Sequence, residues 1–323
     1  MDMGKDENAP QGPILALCGG VGGAKLALGL SHILPAEQLT LVVNTGDDFE
    51  HLGLPICPDL DTVMYTLAGL GNPETGWGRA QETWSFMQAI AERGGETWFQ
   101  LGDKDLAQHV QRRFLLEQGR TLSDAIREMA ASLGIAPAIV PMSDQKVRTI
   151  VETEQGNLAF QHYFVRQQCA PRVTGFHFEG AADARLSPGF DQALRDPDLA
   201  GVIICPSNPF VSIGPILSLP SLTQRLSTLN APIIAVSPIV GGQALKGPTA
   251  KMMKELGLQI SPIGVADYYG DFLDGLVMDV VDRDKSPQFE ARNIKVHICN
   301  TIMSSLADRK ALAWACLNFL KKF

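Results

Sequence analysis

The chain has 323 residues, and 27 Lys and Arg against 35 Asp and Glu leave a formal net charge of −8 at pH 7. A 45% share of hydrophobic residues is enough for a packed core, which excludes a wholly disordered chain. The length fits one large α/β domain or a domain with a substantial insertion. The acidic balance gives no electrostatic reason for nucleic-acid binding, so an anionic ligand must be held by backbone amides, a metal ion or a few basic side chains.

Residues 1–11 are polar and lack the apolar segment of a secretory signal, and no run approaches the ~20 apolar residues of a spanning helix. A cytoplasmic protein is expected. Residues 14–18 form a short apolar run that meets Gly19-Gly20-Val21-Gly22-Gly23, and 24–34 has helical character with Leu26, Leu30 and Ile33 on one side. Residues 39–43 are a second strand-like run, so the chain opens β–loop–α–β, as in a parallel, helix-covered sheet. From 61 to about 133 the pattern is mainly helical, with Gly134 and Pro137 ending one helix. Runs at 147–151 and 158–165 flank Glu154-Gln155-Gly156-Asn157, which reads as a hairpin turn, and 175–178 adds a strand. Buried-strand patterns return at 201–205, 232–236, 276–281 and 294–298, and 305–320 reads as a closing helix. The expected architecture is a Rossmann-like α/β fold, a parallel sheet with helices on both faces. It forms one domain over 1–323, with a core at about 12–70 and 198–323 and a helical and hairpin insertion at about 71–197.

Three constellations can carry chemistry. The first is Gly19–Lys25: glycines admit close approach of a ligand, and a following helix aims free N–H groups at a phosphate. Lys25 stands where a dinucleotide fingerprint needs its third glycine, and Leu26 stands where a P-loop needs Ser or Thr. The alternative is a tight strand-to-helix turn without a ligand. The second is acidic: Asp47 and Asp48 follow the second strand, and Asp59 and Asp61 come shortly after. Four carboxylates beside Asn44 and Thr45 form an oxygen-rich set that favours Mg²⁺ over zinc. Alternatively, Asp59 or Asp61 caps the helix that follows, and Asp47-Asp48 is a solvated turn. The third is Ser207, Asn208 and Ser212 at another strand end, suited to a phosphate or a base edge, or equally to a capped turn. Three strand ends feeding such loops converge at one sheet edge, where ligands bind. Trp77, Trp84 and Trp98 are able to pack on a flat heterocycle, although core and rim positions are commoner for tryptophan. His51 and His109 are catalytic candidates with a structural alternative. The six scattered cysteines make neither a zinc site nor a disulfide framework, and no covalent nucleophile is legible.

Together GGVGGAK (from Gly19), NTGDD (from Asn44), PDLDTVMYTL (from Pro58), LGDKDLAQH (from Leu101), MSDQKVRT (from Met142), PSNPFVSIGPIL (from Pro206), VSPIVGGQALKGP (from Val236) and VADYYGDFLDG (from Val265) resemble the 2-phospho-L-lactate transferase family of coenzyme F-420 biosynthesis. The resemblance covers nearly the whole chain in the family's order. It implies a guanosine-diphosphate-linked three-carbon acid as donor and 7,8-didemethyl-8-hydroxy-5-deazariboflavin as acceptor. The acceptor's ribityl hydroxyl attacks the phosphorus bearing the acid, and GMP leaves. The acid is 2-phospho-L-lactate or a close relative such as 3-phosphoglycerate or phosphoenolpyruvate. The resemblance further implies Mg²⁺ as cofactor, a homodimer, and Gln100 as an acceptor-side position. Asp61 and Asp48 are the expected catalytic carboxylates, with Asp61 holding the acceptor hydroxyl and able to take its proton. Asp47, Asp48, Asp59 and Asp61 are the expected metal set. Gly20, Gly22, Gly23, Lys25, Ser207, Asn208 and Ser212 form the guanosine-phosphate side. An NAD-dependent oxidoreductase and a non-catalytic nucleotide-binding regulator are the alternatives.

Overall fold

The structure is a computed structural model describing residues 12–323. The polar start, where no secretory segment is expected, lies outside them. Ile14–Cys18 (β1) runs into helix Gly20–Ser31 (α1) and returns as Leu39–Val43 (β2). The short hairpin Phe49–His51 (β3) and Leu54–Ile56 (β4) precedes helix Pro58–Leu67 (α2). Helices Ser85–Glu92 (α3), Asp103–Glu117 (α4) and Leu122–Ser132 (α5) follow, then strand Ala138–Pro141 (β5). Strands Arg148–Thr153 (β6), Gly156–Ala159 (β7) and Val173–Glu179 (β8) and helix Pro188–Leu194 (α6) complete the first half.

The second half alternates strands and helices. It comprises Gly201–Ile204 (β9), Gly214–Leu217 (α7), Leu222–Ser227 (α8) and Ile233–Val236 (β10). The ribbon Ile239–Val240 (β11) and Gln243–Ala244 (β12) leads to Thr249–Glu255 (α9) and Pro262–Tyr269 (α10). Gly275–Asp279 (β13), Pro287–Glu290 (α11), Lys295–Cys299 (β14) and Leu306–Leu320 (α12) close the chain.

Seven strands form one sheet in the order β14-β13-β10-β9-β1-β2-β5, and every pairing in it is parallel. Numbered among themselves from the β5 edge they read 3-2-1-4-5-6-7, the Rossmann order extended by one strand. Strand alternation divides the apolar residues between two cores. Ile14, Ala16 and Cys18 of β1 face a core with α1, α2, α5 and α12, while Leu15 and Leu17 face another with α6, α9 and α10. Ile203 against Val202 and Ile204 repeats the division on β9. Helices therefore cover both faces, as the pattern predicts.

Several boundaries differ from the sequence reading. Helix α1 starts on Gly20, not 24, so the glycines form its first turn. The second hairpin strand ends at Ala159, and His162–Arg166 closes a π turn with Gln167 N–H donating to His162 O at 2.8 Å. The strand expected at 276–281 ends at Asp279, whose carboxylate accepts from Val281 N at 3.1 Å and Thr301 N at 2.8 Å. The largest correction concerns 71–197. It supplies β5, the edge strand beside β2, as well as the antiparallel sheet β7-β6-β8. Pro137 and Pro141 mask β5 in the sequence, but an edge strand tolerates proline.

Candidate functional site

At the strands' carboxyl edge, the loops after β1 and β9 part in opposite directions. This is the switch point where open α/β sheets bind ligands, and a cleft of about 600 Å³ opens there. Its lining includes Gly20, Gly22, Lys25, Asp47, Asp59, Asp61, Gln100, Ser207, Asn208 and Ser212. Gly23 and Asp48, expected in the same set, are not among the lining residues.

Most of the glycine run is dictated by packing. A Cβ on Gly22 would lie 2.1 Å from Pro206 O, and one on Gly23 would lie 2.8 Å from Ser207 Oγ. The first turn of α1 therefore rests directly on the loop after β9. Ser207 fastens the two: its hydroxyl accepts from Gly19 N at 3.2 Å and donates to Gly19 O at 2.9 Å. Gly20 differs, with φ +63 and only Ser212 Oγ, at an ordinary contact distance of 3.9 Å, where a Cβ would point. Its N–H donates to Asp59 Oδ1 at 2.7 Å, so a carboxylate already occupies part of the helix N-terminus. Asn208 caps the turn after it, accepting from Phe210 N at 2.9 Å and Val211 N at 3.4 Å.

The four aspartates separate into different environments. Neither Asp59 nor Asp61 is the helix cap, because Cys57 takes that position and Pro58 opens α2. Asp47 and Asp59 are joined by Asn44, whose fully buried amide donates to Asp47 Oδ1, to Asp59 Oδ2 at 3.0 Å and to Val211 O at 3.2 Å. Neither carboxylate has a basic ion-pair partner among the described residues. Burial and the Asp59 charge push the Asp47 carboxyl well above its ordinary range. Burial lifts Asp59 to about 6 against the hydrogen bonds from Asn44 and Gly20. Two buried acids side by side without a cation form an oxygen site fitted to a hard divalent ion. Asp48 is likewise buried, raised by burial to about 7 against the pull of Arg148, and its Oδ1 has no hydrogen-bond partner among the described residues.

Asp61 is paired differently. The guanidinium of Arg112, fully buried on α4, donates to Asp61 Oδ1, and Gln108 Nε2 adds a donor at 3.2 Å. Arg112 Nη1 also donates to Pro55 O at 3.0 Å and faces His109 Nδ1 at 3.3 Å. On its other side His109 Nε2 lies 3.2 Å from Asp105 Oδ2, and Tyr65 OH donates to Asp105 Oδ1 at 2.6 Å. Burial drives the Asp105 carboxyl up, but His109, Tyr65 and Arg112 outweigh it and hold it below its ordinary value. One atom of Asp61 and one of Asp105 and His109 lie within 4.8 Å of one another, a spacing a metal ion accepts. Arg112 already supplies one positive charge there, which offsets one of the two carboxylates.

The cleft also carries cations. Lys25 Nζ donates to Met303 O at 3.0 Å, and Lys246 Nζ donates to Thr75 O at 2.8 Å. Neither has a carboxylate partner among the described residues. Burial, Arg309 and Lys246 push the Lys25 ammonium below its ordinary value, the mark of cations gathered without counter-charge. Trp77, Trp98, Phe164 and Leu245 contribute apolar lining, with Trp77 exposed. His109 reaches the cleft. His51 does not: it packs among Phe49, Trp98 and Phe99. Trp84 also lies off the cleft. The sequence marks Asn44 only as a neighbour of the aspartates, and it does not mark Arg112 or Lys246, because an arginine in a helix and a lysine in a loop are ordinary.

Fold and site together define a Rossmann-like α/β protein with a cleft at the switch point of its sheet. A family profile described as 2-phospho-L-lactate transferase CofD matches residues 14–307. The chain is 40% identical over 300 residues to a 2-phospho-L-lactate transferase of Methanococcoides burtonii, covering 93% of this chain and 97% of that one. It is 38% identical over 307 residues to a phosphoenolpyruvate transferase of Kitasatospora aureofaciens, covering 93% and 94%. The fold is similar to that of a UPF0052-family protein of Bacillus halodurans, with a TM-score of 0.56 at 13% identity over 90% of this chain and 93% of that one. The chain belongs to the CofD family of 2-phospho-L-lactate transferases and is a transferase of a phosphate-containing group. That membership sets aside both the oxidoreductase and the non-catalytic regulator.

Proposed function

We propose that the chain transfers a phospho-acid from a guanosine-diphosphate-linked donor to the ribityl hydroxyl of 7,8-didemethyl-8-hydroxy-5-deazariboflavin in coenzyme F-420 biosynthesis. The observation that carries this reading is one cleft holding buried carboxylates together with two ammonium groups that lack acidic partners among the described residues. Phosphoryl-type transfer needs in-line placement and charge neutralisation more than a protein nucleophile. The acceptor hydroxyl oxygen forms the new bond to the phosphorus bearing the acid. The bond from that phosphorus to GMP breaks, and the hydroxyl proton passes to a base.

Asp61 holds the hydroxyl in this reading. Lys25 and Lys246 face the donor's phosphates, with the amides at the start of α1 beside them. Ser212 and Gln100 line the donor and acceptor sides, while Ser207 and Asn208 shape the donor wall through the bonds they make to backbone. Asp47 and Asp59 would hold Mg²⁺, which when bound supplies charge neutralisation on the phosphates. Asp48 backs that pair from outside the cleft lining. The apolar rim around Trp77 and Trp98 suits a flat ring system. We further propose a homodimer in solution, checked by light scattering, where a 34.9 kDa species alone refutes it.

The relatives carry two different acids in their names, and the lactyl, enolpyruvyl and glyceryl donors differ by a few atoms. Incubating the protein with the deazaflavin and each guanylylated acid, with products read by mass, tests the reading. One acid yields a phosphodiester product together with GMP. No transfer from any of the three refutes it.

A further inference from the structure

We propose that one face of α4 is a positioning element for the acceptor hydroxyl, acting through Asp61. The inference rests on the transfer reading above and concerns residues to which that reading gives no role.

Asp105, His109 and Arg112 stand four and three residues apart, so they share one face of α4. That face is turned into the protein: His109 is 1% exposed and Arg112 is 0% exposed. A buried arginine side chain is costly unless paired, and this one is committed to Asp61 Oδ1, Pro55 O and the ring of His109. It joins three elements, α4, β4 and α2. Asp61 Oδ1 is thereby tied back by Arg112 and Gln108.

The other oxygen is left without a partner. Asp61 Oδ2 is buried and accepts no hydrogen bond among the described residues, and the nearest ring nitrogen, His109 Nδ1, stands at 3.6 Å. Arg112 Nη1 approaches Nδ1 as a donor, which makes Nδ1 an acceptor and leaves it nothing to offer Oδ2. Two acceptor atoms thus face each other across a gap that lacks a proton. Both residues line the cleft. A hydroxyl group supplies what is missing: one O–H donor for Asp61 Oδ2, arriving from the cleft beside His109. Behind this pair, Asp105, held by Tyr65, stands 3.2 Å from His109 Nε2, a close approach the ring would lose on rotating, although Nε2 makes no hydrogen bond among the described residues. The chain Tyr65–Asp105–His109–Arg112–Asp61 therefore fixes the direction from which a hydroxyl is received. Arg112, His109 and Asp105 are positioning residues, and Asp61 touches the substrate.

The experiment compares Asp105→Asn, Arg112→Lys and Arg112→Met with the unaltered chain. It measures kcat and separate KM values for donor and acceptor, acceptor affinity by fluorescence titration, and melting temperature. Asp105→Asn keeps the shape and loosens the imidazole, and misplacement of a reacting group by about 1 Å costs up to ~10²-fold. We expect kcat to fall about 10- to 100-fold, with KM for the guanosine-linked donor unchanged within about twofold and a near-normal melting temperature. Arg112→Lys keeps the charge without the fork and should retain more kcat than Arg112→Met. A merely structural role would lower stability and leave kcat of the folded fraction intact. If Arg112→Met fails to fold, Asp105→Asn and Arg112→Lys decide the matter. Full turnover by both folded variants overturns the inference while leaving the transfer reading standing. No transfer by the unaltered chain overturns both.

Discussion

At the scale of single residues, Asn44 connects the most. Its one amide group binds Asp47, Asp59 and the loop after β9, and its Oδ1 accepts from Gly46 N at 2.7 Å. Asn44→Ala leaves several buried polar groups unsatisfied, each worth ~1–3 kcal/mol. The expected result is a stability loss of roughly 2–4 kcal/mol in urea titration, and an unchanged midpoint contradicts the described role. The raised carboxyls make a second prediction. Asp59 and Asp48 sit near 6 and 7 in the folded chain against an ordinary 3.8. The folded state thus holds these protons more tightly than the unfolded chain. Their contribution is complete below about pH 4 and is lost as pH rises through 6 and 7. A divalent ion, if held at Asp47 and Asp59 as proposed, would offset the repulsion that then appears. Mg²⁺ is expected to raise the melting temperature at pH 8 and hardly at pH 5, as read by thermal unfolding with and without EDTA. Equal Mg²⁺ effects at both pH values count against that site.

Among the elements, α1 carries a prediction that separates packing from ligand approach. Gly22→Ala places a methyl carbon against Pro206 O, whereas Gly20→Ala meets only Ser212 Oγ at 3.9 Å. Overpacking costs about 1–3 kcal/mol or more, while a non-glycine residue at the Gly20 φ costs roughly 1–2 kcal/mol. Urea unfolding should rank Gly22→Ala as the less stable variant, and the opposite order would mean that α1 sits farther from Pro206. Strands β1, β2, β9 and β10 are legible in the sequence because a strand buried on both faces needs an uninterrupted apolar run. Strand β5 is not, since its prolines are allowed only by its edge position. The acidic constellation was visible as a cluster, but its division was not. Asp59 and Asp61 are two residues apart on one helix, and their different partners come from Asn44 and Arg112, at distant points of the chain. The face of α4 has the same character: its spacing can be read in the sequence, and its direction cannot.

For the whole molecule, the sheet order brings basic groups to the cleft from both halves of the chain. Lys25 lies on α1 after the first strand, and Lys246 lies in the loop that follows β12. Lys246→Met removes an exposed ammonium without disturbing the core. It is expected to weaken GDP binding about tenfold in calorimetry, equivalent to ~1.4 kcal/mol, and to leave deazaflavin affinity unchanged. Undiminished GDP binding would move the donor phosphates away from Lys246. Among the described residues no helix is long and apolar enough to cross a membrane.

The Ser207 clasp on Gly19 spans 188 positions in the chain. During synthesis the first strand, its helix and the acidic loop leave the ribosome long before their fastening residue exists. At about 5–20 residues per second, that interval is roughly ten to forty seconds. Through that time the glycine turn has no β9 loop to rest upon, and Asn44 lacks its contact with Val211. On the proposed reading, the nascent chain would meet guanosine nucleotides with an unfinished cleft, and competence would arrive late, when the loop after β9 emerges. Stalled chains ending near residue 190 should fail to retain GDP on a filter, while chains extended past the last strand should retain it.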